Sequence, residues 1–112
     1  MQNYFLDDEY SIIYITCHSL EEARNIAKTL VEEKLAACVS IIPEIISVYR
    51  WENKIQEYSE VQLMAKSRTA LFQKISNRVK ELHSATLPEI IEVNILEATN
   101  DYKMWLYDET KK

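Results

Sequence analysis

Two cysteines and two histidines are the residues of this chain best suited to bind a metal ion or attack an electrophile. Cys17 and His18 are neighbours, Cys38 lies in an apolar stretch, and His83 stands far from the other three. The sequence has no C-x-x-C and no H-x-x-x-H pair, which argues against a closed structural zinc site within one chain. Successive side chains of a strand diverge, so Cys17 and His18 are not expected to share an ion.

Each of these residues also has an ordinary structural interpretation. Cys38, in the stretch Ala-Ala-Cys-Val, is typical of a small core residue. Cys17 precedes a helix N-terminus, where strand ends open onto clefts and the helix dipole favours a thiolate. His83 is expected at a helix C-terminus, where an imidazolium interacts well with carbonyl groups. Two cysteines in 112 residues favour reduced thiols, with one disulfide as the alternative.

The chain contains no glycine, although average usage would give about eight. Phosphate loops, dinucleotide-binding loops and nucleophile elbows all need glycine, so these enzyme motifs are absent. Neither histidine has the serine and acid context of a catalytic triad, and a hydrolase of the acylphosphatase type would need an anion-binding loop that is not recognisable. We therefore expect no enzyme. Positive-φ turns should fall at Asn53, Asn100 and Asp101.

Length and charge limit the possible partners. The 112 residues suffice for one domain, which we place at residues 11–112 after an N-terminal extension of residues 1–10. A net charge of −5 repels phosphate backbones and anionic lipid, so we expect no nucleic-acid or membrane partner. No apolar run reaches the roughly 18 residues of a membrane span, and the first residues have no signal-peptide pattern, which predicts a cytoplasmic protein.

Hydrophobic periodicity predicts the order β-α-β-β-α-β-α. A central strand covers residues 11–17, and a capping box of Ser19 and Glu22 begins a helix over residues 20–34. A long hairpin follows over residues 36–66, interrupted at Pro43, which cannot donate to a strand ladder. A helix over residues 71–83, a strand over residues 89–96 with Ile91, Val93 and Ile95 on one face, and a short helix over residues 102–107 complete the chain.

This order predicts an α+β, ferredoxin-like βαββαβ sandwich with an extended hairpin and a short C-terminal helix. Both long helices should cover one face of the sheet and leave the other bare. The residues expected on the bare face are Ile12, Tyr14, Ile41, Met64 and Ile90. Because the hairpin overhangs so small a sheet, we expect self-association to cover its edges and this face.

The hairpin carries further candidate binding residues. Aromatic residues lie near its tip and at the C-terminus, in a pattern more typical of interface packing than of a ligand cage. Glu60 and Lys66 share one strand face but are too far apart for a direct ion pair, so each needs another partner if it is buried.

The segments LAACVSIIP (35–43), SVYRWENKI (47–55) and EVQL (60–63), together with Lys66, His83 and PEI (88–90), resemble the CutA divalent-cation tolerance family. Residues Asp101, Tyr102, Trp105 and Leu106 extend the resemblance, which spans about residues 11 to 107. The chain departs from the family pattern where the family usually has Gly at position 53 and His-Pro-Tyr at positions 83–85.

The resemblance implies a cytosolic homotrimer without catalytic activity that is associated with tolerance to divalent cations, copper in particular. It implies no obligatory cofactor, and copper or another divalent cation as a possible ligand. By position, Cys17, His83 and Glu89 match residues linked to copper binding. The residues matching the family's inter-subunit cleft are Tyr49, Trp51, Glu60 and Lys66. An alternative is a PII-like trimer that senses a small molecule or acts as a scaffold, with an indirect metal phenotype.

Overall fold

The computed structural model describes residues 4–111 as four strands and four α-helices. The elements are α1 (Tyr4–Asp7), β1 (Tyr10–Cys17), α2 (Leu20–Glu32), β2 (Cys38–Trp51), β3 (Lys54–Arg68), α3 (Phe72–Leu82), β4 (Ile90–Asn94) and α4 (Asn100–Thr110). A 3-10 turn, Thr69–Leu71, joins β3 to α3. Residues 1–3 of the predicted extension lie outside the described residues, and no described helix has the length and apolar character needed to span a membrane.

The strands form one antiparallel sheet in the order β2-β3-β1-β4. β1 is central, as its apolar run predicted, and Ile15 lies opposite both Leu63 of β3 and Ile90 of β4. β1 and β2 are consecutive along the chain but are separated in the sheet by β3, so the segment that joins them crosses over through α2. The predicted α+β architecture with four strands is confirmed, and all three pairs of neighbouring strands are antiparallel.

Helix α2 begins and ends through local capping. The Ser19 hydroxyl accepts a hydrogen bond from the Glu22 backbone N–H at 3.1 Å, which confirms the predicted N-cap. The helix ends at Glu32, two residues before the predicted end, because Lys34 adopts a left-handed conformation with φ 60°. The Leu35 N–H then donates to the Leu30 carbonyl at 2.9 Å, the bond that closes a Schellman motif.

The core lies between one sheet face and helices α2 and α3. Its fully buried side chains come from strands and helices alike, and each contributes about 1.5–3 kcal/mol through removal from water. The largest members are Ile13, Ile15, Ile26, Leu30, Leu63, Ile75 and Val79. A smaller cluster joins Tyr10 and Ala37 to Leu106 of α4.

Two residues predicted on the bare face lie on the covered one. Ile41 and Ile90 pack against the core, because they pair with the buried Leu63 and Ile15. Strand β4 therefore turns the opposite set of side chains toward the helices from the set predicted. Ile91 and Val93 are about half exposed instead of facing the helices. The bare face is lined by Ile12, Tyr14, Met64, Ile91 and Val93, which the strand register places side by side.

The hairpin of β2 and β3 extends well beyond the sheet. β2 has 14 residues and β3 has 15, against 8 in β1 and 5 in β4, and the chain measures 56 × 25 × 22 Å. The register shifts between Ile42 and Ile45, which confirms the predicted irregularity at Pro43.

The tip of the hairpin is a two-residue turn. Glu52 and Asn53 both have positive φ, at 50° and 65°, as a type I′ turn requires. The prediction for Asn53 is confirmed, but those for Asn100 and Asp101 are wrong. These two residues begin α4, because the Thr99 hydroxyl caps that helix by accepting a hydrogen bond from the Tyr102 N–H.

Candidate functional site

Cys17 is the last residue of β1 and is fully buried on the helix-covered side of the sheet. Burial, with smaller contributions from the Glu22 and Glu60 carboxylates, raises the pKa of its thiol to about 12. The expectation of a thiol ionised by the helix dipole is wrong, because burial and the two carboxylates all favour the neutral thiol. Cys38 is half-buried, and both thiols are free, as the composition favoured.

His83 caps the C-terminus of α3, and its ring inserts against the end of β1. The ring is 2% exposed, and its Nε2 lies 2.6 Å from the Thr16 carbonyl oxygen. Because a carbonyl can only accept, Nε2 carries a proton and donates it. The Ala85 N–H donates to Nδ1 at 3.0 Å, so Nδ1 is an acceptor. Both ring nitrogens are therefore occupied.

Glu22 completes a group that the sequence analysis did not find. Its Oε2 accepts the Ser84 N–H at 3.1 Å, and its Oε1 lies 3.7 Å from His83 Nε2. Cys17, Glu22 and His83 each place a donor atom within 4.8 Å of the others, and among residues 4–111 they are the one such set of three. Glu22 stands four residues before the buried Ile26, and that helical spacing was the available signal.

Glu89, the third predicted metal ligand, lies outside this group. Its Oε2 accepts a hydrogen bond from the Thr16 hydroxyl at 3.0 Å, and its side chain is exposed. Thr16 thus holds two candidate residues at once, because its carbonyl contacts His83 while its hydroxyl contacts Glu89. His83 and Glu89 therefore lie in different positions beside the end of β1, one against the Thr16 backbone and the other against its side chain.

An open cleft of about 840 Å³ borders this end of the sheet. Three of the four predicted cleft residues, Tyr49, Trp51 and Glu60, line it together with Glu89 and His83. The structure therefore brings candidate residues from β2, β3 and the loop after α3 to one place. This volume lies within the range of small-molecule sites.

Glu60 and Lys66 have separate partners, as their spacing predicted. Glu60 is 9% exposed, and its Oε2 lies 3.8 Å from Nδ1 of His18. Lys66 is absent from the cleft lining. Its Nζ donates to the Ser40 hydroxyl at 2.8 Å and lies 3.8 Å from the Cys38 sulfur.

Comparison with known proteins identifies the family. The family described as CutA1 divalent ion tolerance protein matches residues 11–109. The chain belongs to the CutA1 family. It is 46% identical over 99 residues to the divalent-cation tolerance protein CutA of Thermus thermophilus, which covers 88% of this chain and 96% of that protein. The CutA of Archaeoglobus fulgidus is 44% identical over 101 residues, covering 90% and 97%.

Solved CutA1 structures have the same fold. The crystal structure of CutA1 from Oryza sativa superposes with a TM-score of 0.91 at 35% identity, over 94% of this chain and 96% of that one. The CutA1 structure from Thermus thermophilus gives a TM-score of 0.89 at 45% identity, over 91% and 99%. The resemblance to CutA is confirmed, and a role in divalent-cation tolerance follows at the level of the family name.

Proposed function

We propose that this CutA1 protein is a non-enzymatic, cytoplasmic homotrimer that acts in copper tolerance by binding the metal weakly through Cys17 and His83. The observation that carries the metal proposal is the convergence of sulfur, nitrogen and oxygen donors in one buried group. Thiolate and imidazole ligands suit copper and zinc better than magnesium or calcium. Glu89 lies outside this group, at the rim of the adjoining cleft, and the metal proposal does not include it.

Two features of the group support weak binding. A metal at Nε2 of His83 must displace the proton that this atom donates to Thr16. The Cys17 thiol must also lose its proton, against a raised pKa, before it can act as a ligand. The loss of each proton costs free energy and so weakens metal binding. The site therefore fits a protein that responds to excess metal rather than one that needs a permanently bound ion.

The sheet supports a ferredoxin-like, trimeric assembly. Five residues, mostly apolar, lie side by side on the bare face, and Ile46, Val48 and Ile55 on the overhanging hairpin are more than 60% exposed. An isolated chain would present all of this surface to water. Further copies of the chain would cover it, and three is the number that the resemblance to CutA implies.

Copper competition tests the metal proposal. Cu⁺ binding would be measured anaerobically against a chromophoric chelator for the wild type, Cys17→Ala and His83→Ala. We expect each variant to lose at least tenfold in affinity, since each lacks a ligand. Equal affinities in all three proteins would eliminate the site, and circular dichroism would show whether each variant is folded.

The cleft favours a second function, that of a PII-like trimer in which a small molecule or a partner segment is bound. Its volume and its mixture of aromatic rings with charged groups are typical of ligand sites. Glu60→Ala and Lys66→Ala variants would be compared with the wild type in a thermal-shift screen of metabolites. A compound that stabilises the wild type and Lys66→Ala, but not Glu60→Ala, would support this function. Trimeric variants with an unchanged screen would count against it.

A further inference from the structure

The group formed by Cys17, Glu22 and His83 draws its donors from three elements. Cys17 ends β1, Glu22 lies in the first turn of α2, and His83 caps α3. The Cys17 residue, the Glu22 side chain and the His83 side chain are 0%, 15% and 2% exposed. Tertiary structure brings His83 to the other two, because it lies 66 positions after Cys17 in the sequence.

One carboxylate oxygen of Glu22 lacks a hydrogen-bond donor among residues 4–111. Oε1 is buried and has no hydrogen-bond partner within residues 4–111, whereas Oε2 accepts the Ser84 N–H. The nearest side-chain nitrogen, Nε2 of His83, lies 3.7 Å from Oε1 and contacts the Thr16 carbonyl at 2.6 Å instead. A buried carboxylate oxygen without a donor or a cation is unfavourable, so its position calls for a ligand.

The spacing of the donors suits one small ion. Zinc binds sulfur at about 2.3 Å and nitrogen or oxygen at about 2.0–2.2 Å, so two donors of one tetrahedral ion lie about 3.3–3.7 Å apart. Oε1 and Nε2 are already 3.7 Å apart, and all three donors lie within 4.8 Å. Small side-chain movements would bring the group to that spacing and leave a fourth position for water.

We propose that Glu22 is the third metal ligand of this chain, and that its carboxylate makes the site bind a divalent ion such as Zn²⁺ more tightly than Cu⁺, which binds weakly through Cys17 and His83 alone. This proposal rests on the function proposed above for Cys17 and His83. A thiolate and a carboxylate bring two negative charges, which a divalent ion balances and a monovalent ion does not. Carboxylate oxygen is also a harder donor than Cu⁺ prefers.

Glu89 provides a matched control. It is a second glutamate beside the same strand end, but its carboxylate accepts from the Thr16 hydroxyl and its side chain is exposed. Glu22→Gln and Glu89→Gln make the same chemical change, the replacement of one carboxylate oxygen by an amide nitrogen. A difference between these variants would therefore report position rather than net charge.

The test measures Zn²⁺ and Cu⁺ affinities of the wild type, Glu22→Gln, Glu89→Gln, Cys17→Ser and His83→Gln. We expect Glu22→Gln to weaken Zn²⁺ binding by about 10- to 100-fold and to change Cu⁺ binding by less than about threefold. Glu89→Gln should leave both affinities within about threefold of wild type. With Co²⁺ as a spectroscopic probe, Glu22→Gln should keep the thiolate-to-metal charge-transfer band at saturation, whereas Cys17→Ser should lose it.

The outcomes separate the two proposals. Wild-type Zn²⁺ affinity in Glu22→Gln, with loss in Cys17→Ser and His83→Gln, would overturn the role of Glu22 and leave the proposed function standing. Wild-type affinity in all four variants would overturn both. If Glu22→Gln does not fold, Glu22→Asp keeps the charge but draws the carboxylate back by one methylene. Unchanged Zn²⁺ affinity in that variant would also contradict the proposal.

Discussion

The two faces of the sheet are built from similar residues but have different environments. On the covered face, Ile13, Ile15 and Leu63 are fully buried beneath α2 and α3. On the bare face, Ile91 and Val93 remain about half exposed. The covered face also encloses the donors of the candidate metal site, whereas the apolar side chains of the bare face stay partly exposed beside the other residues of 4–111. One face is thus closed within a single chain, and the other is the surface on which the proposed assembly depends.

The largest expected effect comes from truncating one residue on each face. Leu63→Ala should lower the free energy of unfolding by about 2–5 kcal/mol, because it leaves a cavity in a closed core. Ile91→Ala should act mainly through assembly, so its loss of stability should grow as the protein is diluted. Denaturant titrations at several protein concentrations check this contrast. A concentration-independent loss of equal size in both variants would contradict it.

Alkaline pH should act on the covered face through Cys17. Its thiol keeps its proton to about pH 12 in the folded chain, but an ordinary thiol ionises near pH 9.0. Between these values the unfolded chain binds fewer protons, so stability falls as pH rises, by about 1.4 kcal/mol per unit at most. Urea unfolding from pH 8 to pH 11 should show a smaller loss in Cys17→Ala. Parallel curves for the two proteins would refute this assignment.

The smallest expected effect is a gain in stability from glycine substitutions at two turns. One turn follows α2, which packs on the covered face, and the other forms the tip of the overhanging hairpin. Lys34 and Asn53 have φ of 60° and 65°, a conformation that glycine adopts without steric cost. Lys34→Gly should stabilise the chain by about 0.5–1 kcal/mol. Asn53→Gly should gain less, because asparagine already tolerates this region. Thermal unfolding measures both changes, and a larger gain at Asn53 would reverse the expected order.

Local rules predicted those parts of the fold in which neighbouring residues decide the conformation. Ser19 caps α2, Pro43 marks the irregular hairpin, and Asn53 forms the tip, each through backbone chemistry visible in the sequence. Local rules could not predict which side chains of β4 face the core. Ile90 and Ile91 are both apolar, so only pairing with β1 decides which of them enters the core.

The candidate site was predictable only in part. Cys17 and His83 were recognisable from their chemistry and their resemblance to CutA, but Glu22 was assigned to helix capping. Its carboxylate instead accepts from Ser84, a residue 62 positions away that only the tertiary fold brings near. The thiol of Cys17 also stays protonated because it is fully buried, which raises its pKa. Its position before a helix N-terminus was visible in the sequence, but its burial was not.

Sedimentation equilibrium at micromolar concentration tests most directly whether the bare face is an interface between chains. The assembly proposed here predicts a particle with three times the 13.2 kDa mass of one chain, dissociating only when Ile91 or the hairpin is altered. A well-folded particle of 13.2 kDa under the same conditions would contradict the account.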